Sequence, residues 1–228
     1  MTINIASENS VILYLDDPTD PKNITRLKQI NQAIQASLGP DLIASIPSYH
    51  SILVTFNALT TDHAQIIQKL NRLLNDLHHR PTPSLNNSQL VRLPVFYDAA
   101  TGPDLPLIAE HHGIAIEDVI TRHCMTIYQV YAIGFAPGFA YLGHVDEQIA
   151  MPRLTTPRAS VPQGAVGIAD RQTAIYPSAS PGGWNIIGRC PSMLFNPDAD
   201  PVMPFNVGDR VQFMPINEQE YRYLGGEL

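Results

Sequence analysis

Gly134-Phe-Ala-Pro-Gly-Phe-Ala-Tyr-Leu-Gly143 and, about forty residues on, Ser180-Pro-Gly-Gly-Trp-Asn-Ile-Ile-Gly-Arg189 decide how this chain is read. Eight of its 14 glycines and seven of its 20 prolines fall between Gly134 and Pro191, and only Gly39 lies in the first hundred residues. Glycine permits backbone angles that other residues resist, and proline fixes one angle while removing a donor. A chain that gathers both in one segment is shaping a surface there.

Working outward, short β-prone runs surround that segment at 126–133, 164–169, 173–176, 185–187 and 210–214, separated by turn signals. This spacing predicts a barrel or a sandwich. An apolar strand at 89–97 opens the unit, and helices are expected at 104–111 and 117–124. The first 80 residues read differently. Strands are expected at 11–15, 42–47 and 51–56, and helices from about 21 to 38 and 62 to 79, in the order β-α-β-β-α. Asp20 reads as the first N-cap with Pro21 at the first helical position, Gly39-Pro40 as the stop, and Thr60 or Thr61 as the second cap. Residues 80–88 break all periodicity and read as a linker. The expectation is thus α+β, with domains at 1–88 and 89–228.

Composition narrows the function. The 228 residues are 44% hydrophobic with a net charge of −7 and no basic stripe. That argues against nucleic-acid binding by phosphate neutralisation. No apolar run reaches membrane length, and the N-terminus lacks a signal-peptide pattern, so a cytoplasmic protein with no membrane association is expected. Cys124 and Cys190 make no disulfide framework, and no histidine pair has metal-ligand spacing, so no metal site is expected.

Three constellations carry candidate chemistry. In the 134–143 segment, Phe135 and Phe139 flank a tight turn, either a rigid ligand-facing loop or a barrel corner packed on Phe. Pro152-Arg153 and Pro157-Arg158 place two arginines behind prolines, either anion forks or structural ties to loop carbonyls. Ser180 to Trp184 joins a Gly-Gly pair to the only tryptophan, either a ligand platform or a plug. Ser180 lacks a neighbouring base and a nucleophile elbow. His123, just ahead of Cys124 and the main strand, is the histidine singled out for function, with burial as the alternative.

Residues 91–97, 102–105, Arg122-His123, the two glycine-rich stretches, both Pro-Arg pairs, 161–164 and 172–177 occur in one order. That order resembles the allophanate hydrolase subunit 1 family, whose members include the B-type subunit of bacterial 5-oxoprolinase, a sporulation kinase inhibitor, and subdomains C and D of the urea carboxylase carboxyltransferase domain. Cys190 departs from the threonine expected after Gly-Arg. The resemblance implies a small N-terminal α/β sandwich followed by a cyclophilin-like β-barrel. It implies a hydrolase subunit, inactive alone, of an ATP-dependent hetero-oligomeric 5-oxoprolinase that opens 5-oxo-L-proline to L-glutamate. Its partners would be the C-type subunit of 5-oxoprolinase, which is of the allophanate hydrolase subunit 2 type, and the A-type subunit, with ATP bound by one member of the complex. Inhibition of a sensor histidine kinase, or a carboxyltransferase or urea-pathway role, are the alternatives. The catalytic residues implied are Arg153, Arg158 and His123. The substrate-binding residues implied are Phe135, Pro137, Gly138, Phe139, Tyr141, Gln172, Tyr176, Pro181, Gly182, Gly183, Trp184 and Arg189.

Overall fold

The computed structural model describes residues 1–17, 20, 22–78 and 88–228. The chain divides into two compact units, Met1–Asn87 and Ser88–Leu228. The architecture is α+β, as the sequence predicts.

The first unit has two layers. β1 (Thr2–Ser7), β2 (Ser10–Tyr14), β3 (Leu42–Ser48) and β4 (Ser51–Phe56) form an antiparallel sheet in the order β1-β2-β4-β3. α1 (Asn23–Leu38) and α2 (His63–His78) cover it. Val11, Leu13, Ile52, Val54 and Phe56 alternate inward from β2 and β4, meeting Leu27, Ile30, Ile34, Ile66 and Leu70 of the helices. β1 is absent from the sequence expectation for a physical reason. It is exposed along nearly its whole length and is held by backbone pairing to β2, so it carries no burial pattern to read. The caps also differ. α1 begins after Lys22, whose amide donates to Asp20 Oδ1 at 2.8 Å, so Asp20 acts two positions ahead of the cap. The first-turn role read for Pro21 and all but Ser88 of the linker read at 80–88 lie outside the described residues. At α2 the acceptor is Asp62, which takes the Gln65 amide at 2.9 Å, rather than Thr60 or Thr61.

The second unit is a closed barrel. Its strands are β5 (Leu90–Phe96), β6 (Ile127–Ile133), β7 (Ala140–Gly143), β9 (Ala165–Ala169), β10 (Gln172–Ile175), β12 (Asn185–Arg189) and β13 (Arg210–Ile216). They run in the order β6-β13-β5-β12-β9-β10-β7 and close by β7 pairing β6. β13 is parallel to β5 and antiparallel to β6. A separate two-stranded ribbon joins β8 (Arg158–Val161) to β11 (Ser180–Gly182). Around the barrel lie α3 (Leu105–His112), α4 (Ile116–Met125) and α5 (Glu218–Tyr223). No helix among the described residues is long and apolar enough to cross a membrane.

β9 and β12 are almost wholly buried, because both faces of the barrel wall are covered there. Val166, Ile168, Ile175 and Ile187 fill the barrel core. Ala165, Ala169, Ala174 and Ile186 belong instead to a second cluster with Phe139, Tyr176 and Trp184. The outward positions of β9 are small for a reason. A side chain on Gly167 would bring its Cβ to 3.1 Å from Trp184 Cβ, so glycine and alanine make room for the aromatic layer stacked on the wall.

Candidate functional site

The aromatic layer opens into a cleft of about 270 Å3. The turn at its edge is set by two positive backbone angles, Phe135 at φ 77° and Gly138 at φ 90°. Phe139 N–H closes the turn on the Ala136 carbonyl at 3.0 Å. Phenylalanine is an unusual residue for that angle, and Phe135 is left 67% exposed on the cleft rim. Phe139 points the other way and is buried. It meets Tyr141 at 4.9 Å, Tyr176 at 5.6 Å and Trp184 at 5.7 Å between ring centroids, all edge-on. Gly182 is small because a Cβ there would lie 2.4 Å from the Tyr176 hydroxyl.

One cation enters this aromatic cleft. The Arg153 guanidinium carbon lies 5.8 Å from the Trp184 ring centroid. Its loop is fastened on both sides. The Leu154 amide donates to the Gly183 carbonyl at 2.7 Å, and buried Asn185 Nδ2 donates to the Pro152 carbonyl at 2.8 Å. Arg153 has no ion-pair partner among the described residues, and its side chain stays exposed. Burial pushes the Tyr176 phenol up, opposed by the Trp184 amide and by Arg153, so Tyr176 is a neutral hydroxyl at physiological pH.

Arg153, Phe135, Phe139, Tyr141, Tyr176, Pro181, Gly182, Gly183 and Trp184 all line this cleft, together with Pro157. Pro157 is missing from the sequence-derived set, although it belongs to the second Pro-Arg pair. Pro137 and Gly138 shape the turn without lining the cleft. Gln172 starts β10 opposite Gly143.

Three residues stand elsewhere. Arg158 donates to Asp104 Oδ1 at 2.7 Å and to the Trp184 carbonyl at 3.3 Å. The other oxygen of buried Asp104 takes the Ile186 amide at 2.6 Å. Arg158 is thus engaged behind Trp184, tying the ribbon to the barrel wall. Asp104 is the functional neighbour that sequence reading passes over, since its partners lie 54 and 82 residues away. His123 is sealed in the barrel interior. Its Nδ1 lies 2.7 Å from the Tyr97 hydroxyl and its Nε2 3.0 Å from the Thr173 hydroxyl, and the ring stacks on Phe213 at 4.5 Å. Burial pushes its pKa down to about 3, so it is a neutral hydrogen-bonding core residue at physiological pH. Arg189 lines a different depression. Among the described residues no His/Cys/Asp/Glu group could hold a metal ion.

A profile for the family described as carboxyltransferase domain, subdomain C and D, matches residues 1–205. The chain belongs to that family. It is 34% identical over 214 residues to the B-type subunit of 5-oxoprolinase from Escherichia coli O157:H7, covering 94% of this chain and 95% of that protein. It is 44% identical over 135 residues to the B-type subunit of 5-oxoprolinase from Bacillus subtilis (strain 168), covering 59% and 56%. The crystal structure of TTHA0988 superposes with a TM-score of 0.80 at 29% identity, covering 92% of this chain. The chain spans only 40% of TTHA0988.

Proposed function

We propose that this chain is the substrate-holding subunit of a 5-oxoprolinase complex, and that its aromatic cleft binds 5-oxo-L-proline. The observation that carries the reading is Arg153, an exposed guanidinium with no ion-pair partner among the described residues, lying against Trp184 in a cleft walled by rings. A guanidinium fork matches a carboxylate bidentately. Flat aromatic walls suit a small planar lactam ring, and about 270 Å3 is a small-ligand volume. The family membership and the names of the relatives agree with it.

The chemistry asks for more than this cleft holds. A lactam is a poor electrophile because its nitrogen lone pair is delocalised into the carbonyl. Transfer of a phosphoryl group to the carbonyl oxygen produces an activated carbon that water attacks. The C–N bond then breaks, the nitrogen leaves protonated as the glutamate amine, and a second water hydrolyses the acyl phosphate that remains to the side-chain carboxylate and inorganic phosphate. This chain supplies orientation: Arg153 fixes the carboxylate, and Phe139, Tyr141 and Trp184 hold the ring faces and exclude water. One guanidinium does not balance a triphosphate as well as a carboxylate, so ATP belongs to a partner in the complex. No aspartate, glutamate, histidine or lysine lines the cleft among the described residues, and Tyr176 is held neutral. The base therefore also comes from a partner, the C-type or the A-type component of such a complex. Arg158 acts as a positioning residue through Asp104 and the Trp184 carbonyl, and His123 takes no part in proton transfer.

The test is reconstitution. The chain, purified with its companion subunits, is assayed for L-glutamate formation from 5-oxo-L-proline and ATP. ATP-dependent glutamate formation that requires this chain is expected. No activity from the full set of folded subunits overturns the assignment.

A further inference from the structure

Arg189 leads to a second site. It lines a depression of about 340 Å3 separate from the aromatic cleft, bordered also by Gln163, Ser192, Met193, Tyr221 and Glu227. The two charged residues on that border have opposite sign and form no ion pair with each other among the described residues. Arg189 spends Nε on the Gln163 carbonyl at 2.9 Å and one Nη1 hydrogen on the Glu227 backbone carbonyl at 3.1 Å. Its Nη2 group has no hydrogen-bond partner among the described residues, and neither does the Glu227 carboxylate. Both charges act on the same buried ring. Burial pushes the Tyr221 phenol up, Arg189 opposes the shift, and Glu227 acts both ways, its carbonyl lowering it by accepting the phenol hydrogen and its charge raising it. Beside them Met193 leaves an apolar side chain 66% exposed.

A guanidinium with free donors and a free carboxylate on one small depression are complementary to a molecule carrying both opposite charges. A simple anion would face Glu227, and a simple amine would face Arg189. We propose that this depression binds a free α-amino acid, its carboxylate on Arg189, its ammonium on Glu227 and its side chain along Met193. The proposal goes beyond the function assigned to the aromatic cleft and does not depend on it, since it concerns different residues and is read by binding alone. The reaction proposed for the complex releases an α-amino acid, which gives such a site a native ligand.

Calorimetric titration of the full chain with L-methionine and L-glutamate, and with acetate and methylammonium as half-ligands, tests this. At least one amino acid should bind, with each half-ligand weaker by about tenfold or more, the size expected for losing one charged hydrogen bond. Glu227→Gln should weaken amino-acid binding by a similar factor at unchanged melting temperature, because only the backbone of Glu227 holds structure. Absence of binding of both amino acids at about 10 mM overturns the proposal, since affinity that weak leaves no specific site. Acetate binding as tightly as the amino acids overturns it too. Binding that survives Glu227→Gln but is lost in Arg153→Ala places the ligand in the aromatic cleft and likewise overturns it.

Discussion

His123 offers the sharpest test of the barrel interior. Its folded pKa is pushed down to about 3, against 6.5 for the free side chain. The folded chain therefore stays neutral at this site while the unfolded chain takes up a proton below 6.5. Between those values the unfolded state binds more protons, so stability is greatest above pH 6.5 and falls as the solution is acidified. At about 1.4 kcal/mol per pH unit, the 1.5 units from 6.5 to 5 remove roughly 2 kcal/mol. That loss is insensitive to the folded value, since pH 5 lies well above it. The groups facing the imidazole do not blur the window. Tyr97, Cys124 and Tyr128 are all pushed up by burial, away from the range 5–8. Urea unfolding at pH 8 and pH 5, followed by Trp184, the only tryptophan and a residue of the second unit, reads the effect. His123→Gln removes the titrating group. It should cost about 1–3 kcal/mol at pH 8 through unsatisfied Tyr97 and Thr173 hydroxyls. Its stability difference between pH 8 and 5 should also be smaller than the wild type's by roughly 2 kcal/mol. Equal differences in the two proteins would refute the sealed neutral imidazole and return His123 to the candidates for proton transfer.

Arg158→Ala should destabilise the second unit by about 2–3 kcal/mol, below the 3–5 of a fully buried pair because the Arg158 side chain is 31% exposed. Combining it with Asp104→Asn should recover part of that loss in urea titrations, and a strictly additive double variant would count against the tie. Gly182→Ala brings a Cβ to 2.4 Å from the Tyr176 hydroxyl and should cost about 1–3 kcal/mol, whereas Gly183→Ala meets nothing closer than 3.6 Å and should melt like the wild type. Equal melting temperatures for both glycine variants would show that the Tyr176 contact does not constrain β11.

The sequence makes the two-layer first unit readable through α1, α2 and the alternating β2 and β4, where burial imposes its period on the residues. β1 escapes because nothing buries it, and α5 because six residues carry less than two turns of pattern. Six of the barrel's seven strands are individually visible, but β7, hidden inside the glycine-rich segment, and the closure it makes with β6 are not. β13 pairs with β5, about 120 residues away, and no local residue type encodes that partner. The aromatic rim and the Gly-Gly strand of the cleft are legible as motifs, because specified bends and bulky rings are written in residue identity. The two Pro-Arg pairs show the limit. Arg153 and Arg158 look alike in sequence, and only a carboxylate 54 residues upstream ties one of them to the wall while the other lies against Trp184. Arg189 follows the Gly-Gly-Trp motif closely in sequence yet opens on another depression, at the opposite end of β12 from Trp184.

The claim that Arg153 holds a substrate carboxylate is met most directly by comparing two ring substrates in the reconstituted complex. 5-Oxo-L-proline carries the carboxylate, and pyrrolidin-2-one is the same lactam without it. Arg153→Ala should lower kcat/KM for 5-oxo-L-proline by about 10- to 150-fold, the value of one charge-assisted hydrogen bond of 1.5–3 kcal/mol, and leave any turnover of pyrrolidin-2-one unchanged. An equal fall for both lactams, or no fall for either, would contradict the account.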